Sequence, residues 1–154
     1  MAGGKNAGQD LGLLVLRLVL GGIFIAHGVQ KLMGPGVGGF SDFLASLQLP
    51  SPYPLAVATI SAEIGGGLLV VLGIFPRIGA IALAAVMAVA IWKVHWPNGF
   101  FLPVEAAEKG PIKMGFEYNL ALLGMALCIL LAGAGRIGLF PKKGGGGPPG
   151  GPPK

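Results

Sequence analysis

LGLLVLRLVLGGIFIAHGVQKLM, residues 11–33, carries only Arg17, His27 and Lys31 as ionisable side chains among otherwise apolar and small residues. A helix of this length rises about 34 Å, enough to cross a hydrocarbon core of ~30 Å. A cleavable signal peptide is the rival reading, with Lys5 as its basic lead and Ala26-His27-Gly28 imitating a cleavage site. Arg17, in the middle of the would-be apolar region, argues against it. The stretch therefore reads as a membrane-spanning helix.

Three further segments follow the same logic. Residues 54–75 are largely apolar, with Glu63 as their one ionisable side chain. Pro76-Arg77 then makes a very short turn into residues 78–96, so the second and third helices are antiparallel neighbours. Residues 116–134 form the fourth span. Between the first two, Gly34-Pro35-Gly36 breaks the helix, and Phe40, Phe43, Leu44 and Leu47 recur at i, i+3, i+4 and i+7. That spacing predicts a short helix lying in the interface. The expected organisation is a polar lead-in over residues 1–10, an all-α four-helix transmembrane bundle over 11–138, and a Gly/Pro tail over 139–154 that cannot bury a core and should be disordered.

Composition agrees. Of 154 residues, 53% are hydrophobic and only 11% charged, against about one-quarter charged in soluble domains, so the lipid bilayer is the expected principal partner. The net charge of +5 comes from Lys and Arg scattered along loops and tail, not one basic face, and no nucleic-acid partner is expected. Lys5, Arg77, Arg136, Lys142, Lys143 and Lys154 lie on the side of the termini, while Lys31, Lys93, Lys109 and Lys113 lie opposite, six against four. This bias places both termini in the cytoplasm. Tyr53, Trp92, Trp96, Phe100, Phe101, Phe116 and Tyr118 cluster toward the opposite side, where rings favour the headgroup level. Cys128, the single cysteine, reads as a small buried hydrophobe.

Ionisable groups inside a membrane need a partner or a purpose. Arg17, Gly21, Phe24, Gly28 and Lys31 share one stripe of the first helix, which should face into the bundle. Arg17 and Glu63, the deepest charges, are expected to form a buried ion pair, Arg17 bridging a depth mismatch of ~7 Å by reaching along its helix. His27, His95 and Glu117 lie at a similar outer level, with Asn119 beside Glu117 and Gln30 and Lys31 at the rim, and could converge on one polar pocket. Helix joining by hydrogen bonds and ligand contact are both open for the two histidines; haem ligation is conceivable, and no metal site is expected because ligand spacing within one helix is absent. No nucleophile-base motif or phosphate-binding loop occurs, and Gly65-Gly66-Gly67 lies inside an apolar helix.

The blocks RLVLGGIFIAHGVQKLMG (17–34), GFSDFLASLQLP (39–50), EIGGGLLVVLGIFPRIGA (63–80), VHWPNGFF (94–101) and GFEYNLALL (115–123) occur in this order. They resemble the DoxX family of small bacterial and archaeal membrane proteins, and the resemblance covers roughly residues 11–138. It implies a prokaryotic cell membrane and a redox or quinone-linked role in a membrane complex, without supplying a reaction. A quinone needs an apolar slot and a few polar groups, which His27, Gln30, His95 and Asn119 could supply, with Lys31 and Glu117 as further candidates. A redox protein and a second copy of the chain are the partners to consider. An assembly or scaffolding protein stands as the alternative, and a small transporter or proton relay using Glu63 and the histidines as the third.

Overall fold

In the computed structural model, residues 7–101 and 114–139 are described. Lys5, Lys109, Lys113 and residues 140–154 of the Gly/Pro tail lie outside the described residues. Those described form helices and turns, with no strand among them.

Helix α1, Ala7–Met33, is 27 residues long, with Asp10 in its first turn and Lys31 in its last, an arrangement that suits the helix dipole. Gly36, at φ +69°, turns the chain into α2, Gly36–Ser46. This is the expected short helix, and it buries Phe40 and Leu44. The second span, Pro52–Leu72, has three parts: α3 (Pro52–Ser61), a π turn over Ala62–Gly66, and α4 (Gly67–Leu72). Pro52 and Pro54 fall in its first turn, where proline sacrifices no intrahelical bond.

Gly73 closes α4 in the left-handed region, at φ +70°. Its N–H donates to Val70 O at 3.2 Å, and that of Ile74 donates to Leu69 O at 3.1 Å. This paired arrangement satisfies carbonyls that the helix leaves open. Helix α5, Pro76–Ala90, follows at once and continues through a second π turn, Ile91–His95, into a 3₁₀ turn, Trp96–Asn98. Helix α6, Glu117–Ala132, has 16 residues and rises about 24 Å, less than the other three spans.

The chain is therefore an all-α membrane bundle, with three long apolar helices and a shorter fourth. Gly21 and Gly67 bring the first two spans together: a Cβ on Gly21 would lie 2.7 Å from Gly67 O, so only a small-residue contact allows this approach. Leu20, Phe24, Val70, Leu83, Leu122 and Ile129 form the core, and a second cluster of Phe40, Leu44, Ala56 and Ile60 joins α2 to α3. Large apolar side chains such as Leu11, Val15, Leu18, Leu68, Ile81 and Leu127 point outward, as lipid-facing residues do. Cys128 is among the outward-facing residues, which corrects the expectation of a buried thiol. Helix α6 is apolar all round, so its composition does not show which side meets the core.

Both described ends lie on one side of the bundle, called here the terminal side. The backbone N–H of Arg136 donates to Asp10 Oδ1 at 2.8 Å, and that of Leu139 to Leu72 O at 3.2 Å. Arg77 donates to Leu131 O at 3.1 Å, serving an open carbonyl at the end of α6. On the far side, Trp96 stacks on Phe116 at 5.2 Å between ring centroids.

Candidate functional site: two buried charges and a far-side cavity

The stripe expected on α1 faces inward: Arg17, Gly21, Phe24 and Gly28 are buried. Arg17 and Glu63, each only 1% exposed, do not pair with each other, which corrects the expected ion pair. Arg17 Nε donates to Val70 O at 2.9 Å and Nη2 to Val71 O at 3.0 Å. Nη1 donates to Ala134 O at 2.6 Å and also to Ile137 O. Val70 and Val71 lie in the last turn of α4, whose carbonyls carry the negative end of its dipole, and Val70 O also accepts from the Gly73 N–H. Ala134 and Ile137 belong to the segment after α6. Four neutral carbonyls thus stand where a carboxylate was expected, and they bind Arg17 to the second span and to the segment that follows the fourth.

Glu63 instead accepts an ion pair from Lys31 through Oε1. Lys31 is 26% exposed, and its Nζ also sits 5.3 Å from the Phe40 ring centroid, a cation–π distance. The second carboxylate oxygen, Oε2, is buried with no hydrogen-bond partner among the described residues. Glu63 lies within the first π turn. A π turn inserts a residue into the helical repeat and re-aims the side chains around it, and such turns are frequent at functional sites.

A cavity of about 910 Å³ opens beside this pair. Its polar lining includes His27, Lys31, Glu63, Lys93, His95 and Asn119, together with the hydroxyl-bearing Thr59 and Tyr118, and most of the remaining wall is aliphatic or aromatic. Lys93, Val94 and His95 belong to the second π turn, so both π turns border one cavity. His95 Nδ1 is 2.9 Å from Met114 O, and Asn119 Nδ2 donates to Met87 Sδ at 3.5 Å. Helix α2 covers one end with Phe40, Phe43 and Leu44. Helix α3 packs mainly on α1 and α2, whereas α5 meets the second span chiefly at α4 and the first π turn. The two spans therefore part toward the far side. Ala58 on α3 and Ala85 and Val89 on α5 both line the cavity and are exposed, so its mouth faces sideways between helices.

Of the residues expected to converge, His27, Lys31, His95 and Asn119 share this cavity, while Gln30 is exposed on α1 and Glu117 is not part of the lining. Glu117 begins α6, its backbone N–H bonded to Phe100 O at 3.0 Å. Glu63, Lys93 and the rings of α2 are among the lining groups that sequence reasoning did not assign to this pocket. Gly28 was the available signal for Glu63, because a Cβ there would come within 3.1 Å of Glu63 Cβ. Among the described residues no three His, Cys, Asp or Glu side chains gather to hold a metal ion.

A family model described as DoxX matches residues 12–96. The chain is 28% identical over 135 residues to "Inner membrane protein YphA" of Escherichia coli (strain K12), covering 87% of this chain and 91% of that protein. It is 29% identical over 136 residues to "Putative oxidoreductase CatD" of Bacillus subtilis (strain 168), covering 88% and 90%. No solved structure matches the chain.

Proposed function

Because the chain belongs to the DoxX family, we propose that it is a small subunit of a membrane redox complex, holding a quinone-class or similar lipophilic ligand in the far-side cavity. One observation carries this reading: an apolar cavity of about 910 Å³ whose polar groups are few and include a buried, incompletely satisfied carboxylate. Small-molecule sites commonly have this composition and fall in the range of ~300–1,000 Å³. The sideways mouth suits a ligand dissolved in the bilayer. The relative named as an oxidoreductase supports a redox setting, and the one named as an inner membrane protein supports a cell-membrane location.

In this reading His27, Lys31, Glu63, His95 and Asn119 hold the polar head, the α2 rings and α5 enclose the apolar body, and a partner protein carries out the redox chemistry. Both termini face the cytoplasm, on the basis of the Lys/Arg bias.

The test is purification in mild detergent followed by mass spectrometry of the co-purifying lipids and proteins. A quinone at near-stoichiometric yield is expected. A stable partner protein with no quinone would favour the scaffolding alternative instead.

A further inference from the structure

Hydrogen bonding and charge neutralisation are separate requirements, and at the terminal end of the bundle only the first is met. Arg17 donates to four neutral carbonyls, which engage its N–H groups and leave its positive charge in place. Among the described residues two more guanidinium groups, Arg77 and Arg136, stand at this end, against one carboxylate, Asp10. The other described acids, Asp42, Glu63 and Glu117, belong to α2, the first π turn and the start of α6, toward the far side. Residues 1–9 and 140–154 contain no Asp or Glu. Three positive charges thus face one negative beside a low-dielectric interior, where an uncompensated charge is felt strongly.

A cavity of about 690 Å³ opens among these groups, between the ends of α1, α5 and α6, and its polar side chains are Gln9, Asp10, Arg77 and Arg136. Gly73 forms part of the wall with Arg17 directly behind it, since a Cβ on Gly73 would meet Arg17 Nη2 at 2.7 Å. Arg77 gives one N–H to Leu131 O, and the Arg136 side chain is exposed. A guanidinium has five donors in a fork that matches phosphate oxygens. Asp10 Oδ1 is engaged by the Arg136 N–H. Phe75 and Ile78, also in the lining, are 70% and 60% exposed, an apolar rim on which acyl chains can lie.

We propose that this cavity binds the head group of an anionic phospholipid, phosphatidylglycerol, with its phosphodiester between Arg77 and Arg136. Charge decides the head group. Phosphatidylcholine and phosphatidylethanolamine have no net charge and leave the excess of positive charge in place, whereas phosphatidylglycerol brings one negative charge to it. Basic pockets between membrane helices bind anionic head groups in this way. The site is distinct from the far-side cavity and does not depend on the function proposed there.

The test is native mass spectrometry of the full chain, delipidated in mild detergent and titrated with phosphatidylglycerol, phosphatidylethanolamine and phosphatidylcholine of identical acyl chains, with inorganic phosphate as competitor. Phosphatidylglycerol is expected to bind on the order of 10-fold tighter than either zwitterionic lipid, the range of one charge-assisted hydrogen bond. Arg136→Gln, which keeps the backbone bond to Asp10, should remove most of that preference. Asp10→Asn, which keeps an acceptor oxygen and removes the acid, should raise it by roughly 2- to 5-fold, the range of an exposed charge pair. Equal binding of the three lipids would overturn the proposal, and so would phosphatidylethanolamine matching phosphatidylglycerol, which would assign Asp10 to an ammonium group. Displacement of the lipid by inorganic phosphate at equal concentration would make this a site for free phosphate. A preference that survives both Arg136→Gln and Arg77→Gln would place the lipid elsewhere, and one that falls in Asp10→Asn would overturn the charge argument. The lipid comparison uses wild-type protein, so it stands even if a variant does not fold.

Discussion

Arg17 and Glu63 are equally buried, yet the regions around them are built differently. On the terminal side, Arg17 donates four hydrogen bonds to carbonyls of two chain segments. On the far side, Glu63 has, among the described residues, one ion-pair partner and one oxygen left over, beside a cavity. A charge with four of its five N–H donors taken up by backbone holds helices together and has little capacity left for a ligand. A charge satisfied on one side only has that capacity, and helps the fold less. On the proposed reading this contrast separates a structural charge from a ligand-facing one, although both residues look alike as isolated charges in apolar helices.

Mutation of the terminal side should give the largest effect. Arg17→Met removes four hydrogen bonds and leaves Val70 O with the Gly73 N–H alone, which should cost on the order of 3 kcal/mol or more. We expect a fall of roughly 10 °C in the detergent melting midpoint, followed by circular dichroism. Arg17→Lys should recover little, because an ammonium lacks the planar fork that reaches the ends of two segments at once. A melting curve close to wild type for Arg17→Met would dissolve the contrast.

The next effect belongs to the far side. Lys31→Met, Glu63→Leu and their combination, measured as a double-mutant cycle, should show a coupling of about 1 kcal/mol. Glu63→Gln should move the melting midpoint less than Arg17→Met does, since Lys31 can reach water when its partner is lost. A larger loss from Glu63→Gln would make Glu63 the structural residue of the two.

Smaller still is the effect of combining changes across the bundle. Arg17→Met with Glu63→Leu should be additive within about 0.5 kcal/mol, because the two residues share no partner. Asp10→Ala, which removes one exposed hydrogen bond to the Arg136 backbone, should cost about 0.5 kcal/mol. Loss of more than that would show that the segment after α6 depends on this contact as well as on Arg17.

The helices are legible in the sequence because the bilayer leaves few alternatives: backbone polar groups must be satisfied internally, and apolar length follows membrane thickness. The inward stripe on α1 and the short helix around Phe40 follow from periodicity in the same way. Arg17's partners are not legible, because backbone carbonyls have no side-chain signature and depend on where α4 ends. Glu63 is misplaced for a different reason. Its pairing with Arg17 rests on depth along the two helices, and depth does not show that Lys31, on the same stripe of α1, is the cation that reaches it. The convergence of His27 and His95 is legible from depth alone, whereas Glu117, at a similar depth, is not in the lining, since depth says nothing about direction.

The mouth between α3 and α5 has a consequence for how occupancy would be controlled. A site reached through hydrocarbon equilibrates with the mole fraction of ligand among the lipids, not with its concentration in water. Adding ligand-free vesicles to a loaded proteoliposome, at unchanged total aqueous volume, should draw the ligand out only as fast as it exchanges between bilayers. Growth of the membrane would dilute the site's supply in the same way, so the protein would report the composition of the membrane around it.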